Sequence, residues 1–257
     1  MTKITEAAAE AAIVSAATTL FLPTVRAQAA ALADAAARDR LTHRGYLAEL
    51  LATEVDDRTE RRRLRRVKEA RFPRLKQLDD FDLAHSPVDA ATLAALTAGT
   101  FIDKGTPVVL LGDSGTGKTH LLIGAGMAAC RQGRSVRYIT AAALVNELVE
   151  AQDERSLSRL VGRFGRLDLL LIDELGYLHL DPRGAELLFQ VITEREERAA
   201  IAVATNAPFS EWAATFTDPR LCAAIIDRLT FNALIIETGT DSYRLRTTRT
   251  NKKNHTT

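Results

Sequence analysis

Eight residues that follow a short apolar run constrain the fold of this chain more than any other stretch. Residues 112–119 read Gly-Asp-Ser-Gly-Thr-Gly-Lys-Thr, which matches the phosphate-binding pattern G-x-x-x-x-G-K-[ST]. The apolar run 108–111 before it is typical of a buried parallel strand, and residues 120–130 after it favour a helix. An ordinary glycine-rich turn is the alternative. The strand, loop and helix together predict an α/β fold with a phosphate site at a strand end.

The residue types of this loop suit a nucleoside triphosphate with Mg²⁺. Backbone N–H groups of a glycine-rich loop can point at phosphate oxygens, and Lys118 can place its charge on the β and γ phosphates. The Thr119 hydroxyl can become a ligand of Mg²⁺, and the following helix directs its positive end at the same anion. The predicted nucleotide-binding residues are Gly112, Asp113, Ser114, Gly115, Thr116, Gly117, Lys118, Thr119 and His120.

A second apolar run ends in two carboxylates. Residues 167–172 are apolar except for Asp168, and Asp173 and Glu174 follow them. Asp173 at the end of a buried strand can hold Mg²⁺ through a water, and Glu174 can polarise the water that attacks the γ-phosphate. Such a pair by itself usually marks an ordinary strand end. With the phosphate-binding loop upstream, it indicates nucleotide hydrolysis.

A third apolar strand, at residues 199–204, runs into Thr205 and Asn206. We expect the tip of this strand to lie between the strand that precedes the loop and the strand that ends in Asp173. There Asn206 can orient the attacking water or the γ-phosphate. The alternative is an asparagine that caps the turn before Pro208.

The most polarised stretch of the chain is residues 58–76. It holds ten basic residues against Glu60 and Glu69, a balance of 10 − 2 = +8, whereas the whole chain carries +1. Arginine dominates, and its planar guanidinium matches phosphate geometry. We favour contacts to a nucleic-acid backbone without base readout over a solvated helix face or an acidic protein partner. The predicted DNA contacts are Arg58, Arg61, Arg62, Arg63, Arg65, Arg66, Lys68 and Arg71.

The chain has 257 residues, which suits one sizeable domain with a smaller appendage. Because Phe72-Pro73 ends the helical pattern, we expect a helical domain over residues 1–77, an ATPase domain over 78–247 and a disordered polar tail over 248–257. The helical pattern runs from Pro23 to about Glu69. Thr42 can cap its second helix, and the apolar residues of one face of that helix should form a small core: Tyr46, Leu47, Leu50 and Leu51.

The sequence favours a reducing compartment. Cys130 and Cys222 stand in apolar surroundings and are expected to be buried free thiols. No stretch approaches the ~20 continuous apolar residues of a membrane span. Residues 11–22 have the apolar character of a signal peptide, but Glu6 and Glu10 stand where such a segment is positively charged. We therefore expect a cytoplasmic protein without a membrane partner.

The chain resembles the IstB-like transposition helper ATPases, which are AAA+ proteins related to bacterial helicase loaders and replication initiators. The resemblance covers nearly the whole chain from about Leu22. It implies a P-loop NTPase with a parallel β-sheet flanked by helices and a small, basic, all-α N-terminal domain. The stretches that carry it are residues 117–121, 172–177, 205–206, 225–229, 241–245 and 70–73.

The resemblance also implies a function. It implies an oligomer of this chain that binds ATP and Mg²⁺, assembles on duplex DNA and recruits or stimulates the transposase of an insertion sequence. Asn206 would be the sensor and Arg228 the finger that reaches the γ-phosphate of a neighbouring subunit. Arg220 is a rival finger, and Arg228 can instead be an exposed arginine paired with Asp227.

Two positions stay open within the resemblance. Arg244 either touches the nucleotide or closes the last strand. Asp113 and Ser114 stand where the family often has two prolines, so a carboxylate close to phosphate would weaken binding unless it points outward.

Three other functions compete with the transposition helper. A helicase loader for DNA replication shares the fold and the chemistry and differs in its client. A degenerate relative would bind ATP without turnover, although Lys118, Thr119, Asp173 and Glu174 are all present. A small-metabolite kinase is disfavoured because no acceptor pocket or lid motif is apparent.

Overall fold

The computed structural model describes residues 5–177, 180–216, 218–240 and 242–243. The chain divides into two compact units, residues 1–65 and residues 66–257. This division falls inside a helix and precedes the domain boundary that the sequence placed near Gln77. The domain boundary near Gln77 therefore remains a prediction.

The N-terminal unit is helical. Its helices are α1 (Glu6–Thr19), α2 (Pro23–Arg38) and the greater part of α3 (His43–Ala70), which continues into the second unit. Ala17, Val25, Ala29 and Leu50 form a small buried core. Helix α1 precedes Pro23, where the predicted helical pattern begins, and it includes most of the apolar segment 11–22.

The core face of α3 differs from the prediction. Tyr46 and Leu50 pack into the core, whereas Leu47 and Leu51 are 53% and 47% exposed. Neighbouring helix positions are about 100° apart, so a stripe through positions 46, 50 and 54 turns positions 47 and 51 away. Thr42 caps this helix as predicted, since its Oγ1 accepts a hydrogen bond of 3.1 Å from the Gly45 N–H.

The second unit is built on one parallel sheet of five strands in the order β2-β3-β4-β1-β5. Strand β4 therefore lies between β1 and β3, as the sequence predicted. Both faces of the central strands are buried, which explains their continuous apolar sequence. The strands are β1 (Val108–Leu111), β2 (Val136–Thr140), β3 (Leu169–Asp173), β4 (Ala200–Thr205) and β5 (Leu234–Glu237).

Helices cover both faces of this sheet. Leu110 and Leu171 pack with α6 and α4 in one core, whereas Val109 and Ile172 pack with α7, α9 and α10 in the other. The predicted parallel sheet flanked by helices is therefore confirmed. The helices are α4 (Ala90–Ala98), α5 (Thr100–Asp103), α6 (Lys118–Arg131), α7 (Ala141–Asp153), α8 (Leu157–Gly165), α9 (Pro182–Arg195) and α10 (Pro219–Thr230).

Two further predictions can be compared with the structure. Cys130 and Cys222 are buried and free, as predicted. Within the described residues, no helix combines the length and the apolar character that crossing a membrane requires.

Candidate nucleotide-binding site

The loop between β1 and α6 has a backbone that only glycine tolerates at key positions. Gly112 has φ of 148° and Gly117 has φ of 104°. A Cβ at Gly112 would lie 2.4 Å from Thr238 Oγ1, and one at Gly117 would lie 2.6 Å from the Phe81 ring. The loop is thus wedged between the end of β5 and the segment before α4. Its glycines are required by space as well as by conformation.

The charge of this loop comes from the first residues of α6. Lys118 Nζ donates to the carbonyl oxygens of Gly112 and Asp113 at 2.6 and 2.7 Å, so its ammonium lies across the loop. The helix begins at Lys118, and N–H groups in a first helical turn have no partner within their helix. Asp113 and Ser114 are exposed, so the Asp113 carboxylate stands in solvent.

The carboxylates predicted from the sequence end β3. Asp173 is buried, and its two oxygens accept from the Tyr138 hydroxyl at 2.8 Å and from the Glu174 N–H at 2.9 Å. Burial raises the pKa of Tyr138, and the neighbouring Asp173 carboxylate raises it further, so the phenol stays a proton donor. Glu174 is exposed and has φ of 63°. This left-handed backbone is strained, as is common for residues at functional sites.

Asn206 follows β4, between the loop and Asp173. Its Oδ1 is buried and has no hydrogen-bond partner among the described residues. The turn is capped instead by Thr205, whose Oγ1 accepts from the Ala207 N–H at 3.2 Å. A Cβ at Gly176 would lie 2.5 Å from this oxygen, so Oδ1 is packed against the turn that follows Asp173. A buried amide oxygen without a partner is unfavourable.

A cavity of about 270 Å³ beside the loop contains residues that the sequence analysis missed. Its walls include Gly115, Thr119 and His120 from the predicted site. His120 Nε2 lies 2.7 Å from the Gln77 carbonyl oxygen, and burial lowers the pKa of its imidazole. The missed lining residues are Arg74, Lys76, Asp80, Phe81, Asp82, His85, Ser86 and Tyr243. Arg74 and Lys76 belong to the Arg-rich stretch, and Tyr243 lies in the stretch 241–245 that carries the resemblance, so the sequence indicated these residues without connecting them with the loop.

The residues present fit a magnesium–nucleoside triphosphate. A cradle of glycine backbone and the start of α6 suit phosphate oxygens. The Thr119 hydroxyl and the Asp173 carboxylate are oxygen donors, the type that Mg²⁺ prefers together with waters and substrate phosphates. The side chain of Asn206 lies at the same edge of the sheet.

Arg228 lies at the other edge of the sheet. It lines a cavity with residues 104–107 and Ala199, which precede β1 and β4. Its Nε lies 2.9 Å from Glu196 Oε2, and its guanidinium lies 4.6 Å from the centre of the Phe189 ring. The alternative predicted an ion pair with Asp227, whereas the carboxylate beside Arg228 is that of Glu196. The cavity places Arg228 at the strand ends opposite those that carry the phosphate-binding loop.

The rival positions are less informative. Arg220 is exposed in the first turn of α10, where its N–H donates to Asp218 Oδ1. Arg244 and the polar tail lie outside the described residues.

The Arg-rich stretch divides into three parts. Helix α3 ends at Ala70, and Arg71 has φ of 56°. Arg58 and Arg61 are held within the N-terminal unit, because both guanidinium groups lie within 3.5 Å of Glu54 Oε1. Arg63 and Arg66 pair with Glu60 and Glu69. Arg62, Arg65 and Lys68 are exposed, and Arg58, Arg61 and Arg63 stay exposed despite these ion pairs. The eight predicted DNA contacts remain a prediction.

Glu54 explains the positions of Arg58 and Arg61, whose side chains pair with it although they are 57% and 50% exposed. Glu54 itself is 3% exposed, and its carboxylate accepts from the N–H groups of Thr24 and Val25 in the first turn of α2. Burial by itself would raise its pKa. The two hydrogen bonds and the charges of Arg58 and Arg61 outweigh burial and hold the pKa below its usual value. Glu54 thus caps α2 from another helix.

We expect Glu54→Gln to destabilise the N-terminal unit at pH 7 by about 1–2 kcal/mol, because the amide oxygen can still accept hydrogen bonds but without the added strength of the charge. A depressed folded-state pKa stabilises above the unfolded-state pKa, which is near 4.5, and this contribution is lost as the pH falls below it. The stability difference between parent and variant should therefore shrink below about pH 4.5. Thermal melting followed by circular dichroism measures it, with the exposed Glu49→Gln as control. An equal difference at pH 7 and pH 3.5 would contradict this role.

The fold and the site together are those of P-loop proteins of the AAA+ type. Among solved structures, AMPPCP-bound DnaA from Aquifex aeolicus matches with a TM-score of 0.53 and 22% identity, over 69% of this chain and 55% of that chain. DnaI matches with a TM-score of 0.50 and 21% identity, over 63% of this chain and 90% of that chain. At this level of identity the two matches establish the fold alone.

Sequence relatives identify the family. The model of the IstB-like ATP binding proteins matches residues 15–251. A protein named as an ATP-binding protein of insertion sequence IS5376 from Geobacillus stearothermophilus is 37% identical over 90% of this chain and 92% of its own. One named for insertion sequence IS21 from Pseudomonas aeruginosa is 33% identical over 85% of this chain and 83% of its own. The chain belongs to the IstB-like ATP binding protein family.

Proposed function

We propose that this protein is a Mg²⁺-dependent ATPase of the cytoplasm that assembles on duplex DNA and serves the transposase of an insertion sequence. The observation that supports it most is the arrangement at one edge of the sheet. Three adjacent strands end there in the glycine-rich loop, in Asn206 and in the Asp173-Glu174 pair. The names of the relatives connect this chemistry with insertion sequences.

Each residue of the site then has a distinct task. Lys118 and the start of α6 bind the β and γ phosphates, and Thr119 and Asp173 hold Mg²⁺. When bound, Mg²⁺ neutralises charge on the phosphates. Glu174, exposed beside buried Asp173, takes a proton from the attacking water. Asn206, at the tip of the strand between the loop and Asp173, orients that water or the γ-phosphate.

Arg228 makes this chemistry depend on assembly. Because it lies at the edge opposite its own loop, its guanidinium can reach a γ-phosphate only in a neighbouring subunit. There a cationic group supplied in trans stabilises the charge of the transition state. ATP turnover then requires two copies in contact.

DNA binding is assigned to the exposed arginines of α3. We propose that the contacts are to phosphates, because the planar guanidinium matches phosphate geometry and the excess positive charge favours the nucleic-acid backbone. One solved structure of the replication initiator DnaA contains bound single-stranded DNA. For this chain we propose duplex DNA, the target of transposition.

A direct test combines ATPase activity with sedimentation. We expect Mg²⁺-dependent release of phosphate that increases with protein concentration and with duplex DNA. Larger species should appear with ATP and DNA and dissociate with ADP. If no phosphate is released either with or without duplex DNA, the protein would instead be a degenerate relative that binds ATP without hydrolysing it. Stimulation by a replicative helicase but not by the transposase of the neighbouring gene would favour a helicase loader.

We expect the double substitution Arg62→Gln and Arg65→Gln to weaken DNA binding, because both side chains are exposed on α3. The slope of log affinity against log salt should flatten by up to about 0.9 for each lost phosphate contact. Fluorescence anisotropy with labelled duplex at several salt concentrations measures this slope.

The matched control is Arg26→Gln with Arg44→Gln, which removes the same charge from exposed positions outside the Arg-rich stretch. It should leave the slope unchanged. Equal slopes for both double variants would assign the arginines of α3 to a solvated face.

A further inference from the structure

A tyrosine that no nucleotide motif contains holds the predicted metal ligand. Tyr138 lies in β2, and its hydroxyl donates to Asp173 Oδ2 at 2.8 Å. Its register partner is Leu171, two residues before Asp173, so both side chains lie on one face of the sheet. The other carboxylate oxygen accepts from the Glu174 N–H. With a donor on each oxygen, the plane of this buried carboxylate is fixed.

The ring of Tyr138 packs against the residue that follows the Arg-rich helix. Phe72 comes two positions after the end of α3, and its ring centre lies 6.4 Å from that of Tyr138. A Cβ at Gly126 would lie 2.9 Å from the Phe72 ring, so Phe72 also contacts the middle of α6. Helix α6 carries Lys118 and Thr119 at its start. Phe72 therefore touches both the helix of the phosphate-binding loop and the residue that holds Asp173.

We propose that Tyr138 is a positioning residue for Asp173, and that Phe72 makes this position sensitive to the end of the Arg-rich helix. The inference rests on the proposed Mg²⁺-dependent nucleotide chemistry and, for Phe72, on the proposed DNA binding. It adds to them a route by which DNA on α3 affects the metal ligand.

The expected effect follows from what the hydroxyl does for a buried carboxylate. Without Tyr138 as donor, Asp173 Oδ2 is left buried and unsatisfied, which is unfavourable and favours rotation of the carboxylate. Outer-shell partners of metal ligands typically change metal affinity by about 10–100-fold when they are removed. The glycine loop and Lys118 are untouched, so nucleotide affinity without Mg²⁺ should stay the same.

The first test titrates Mg²⁺ into the full chain with a fluorescent ATP analogue. We expect Tyr138→Phe to require about tenfold more Mg²⁺ for half-saturation. Its nucleotide affinity without Mg²⁺ should equal that of the parent, which also shows that the variant folds. Tyr46→Phe is the matched control, because it removes a phenol hydroxyl that donates to the Ala29 carbonyl in the N-terminal unit.

If the nucleotide affinity of the parent depends on Mg²⁺ but Tyr138→Phe needs no more Mg²⁺ for half-saturation, the role of Tyr138 is overturned and the proposed function stands. A parent protein whose nucleotide affinity ignores Mg²⁺ would overturn the proposed function together with that role.

The second test asks whether Phe72 connects this hydrogen bond with DNA. In the parent, duplex DNA should lower the Mg²⁺ concentration needed for half-saturation. Phe72→Leu keeps an apolar side chain but removes the ring contact, and it should reduce this shift. The double variant Phe72→Leu with Tyr138→Phe should show about the same DNA-induced shift in Mg²⁺ half-saturation as Tyr138→Phe alone, since Phe72 acts through Tyr138. Additive effects, or a parent that binds DNA without any shift, would overturn the role of Phe72 and leave the proposed function intact.

Discussion

Glu174→Gln should bind ATP as tightly as the parent protein and hydrolyse it about 10²–10⁴-fold more slowly, the usual contribution of a general base. The side chain is exposed beside Asp173, so the amide fits without loss of a buried contact. It cannot accept a proton from water. Since ATP then persists, the assembly should remain on DNA instead of dissociating. Phosphate release and sedimentation on duplex DNA measure the two effects.

Glu186→Gln is the matched control for this variant, because it exchanges an exposed carboxylate on α9, outside the site. It should keep the parental turnover. If Glu174→Gln also turned over ATP at the parental rate, another group would have to be the base. The strained backbone of residue 174 would then need a different explanation.

The parts of the site that lie at fixed spacing in the sequence were predictable. The loop needs glycines, a lysine and a threonine in one order, and buried parallel strands have recognisable apolar runs. The end of β1 was therefore correct to the residue, and Asn206 was placed at the tip of the strand between β1 and β3. These features depend on chemistry within a few residues of one another.

Contacts between distant segments were not predictable in the same way. Tyr138 is 35 residues from Asp173, and Glu54 is 30 residues from Thr24. A tyrosine in a strand is ordinarily an apolar core residue, and a glutamate in a helix ordinarily faces solvent. Only the register of β2 with β3, and the packing of α3 on α2, reveal that each has a polar partner.

The Arg-rich stretch shows how composition can mislead. Ten basic residues appeared as one surface, yet Arg58 and Arg61 stabilise α2 through Glu54, and Arg74 and Lys76 line the cavity beside the loop. Net charge does not distinguish an arginine paired with Glu54 from one that lines the cavity or one on the exposed face of α3. In each place a cationic side chain is favoured by nearby negative charge or carbonyl oxygen. Arg74 and Lys76 reach the cavity because the chain turns after Pro73, and the direction of that turn cannot be read from the composition of the stretch.

Lys118→Ala should weaken ATP binding by about 10²–10⁴-fold, as expected for the loss of two charge-assisted hydrogen bonds to phosphate. The same ammonium now bonds the carbonyls of Gly112 and Asp113, so its removal also leaves the loop less ordered before the ligand arrives. Lys104→Ala is the matched control, since Lys104 is exposed at the opposite edge of the sheet. Both variants should keep the parental circular dichroism, because neither side chain packs in a core. Titration with a fluorescent ATP analogue gives the two affinities. Binding by Lys118→Ala within threefold of the parent would mean that the phosphates do not lie in this loop, and the roles of Thr119, Asp173, Glu174 and Asn206 would fail with it.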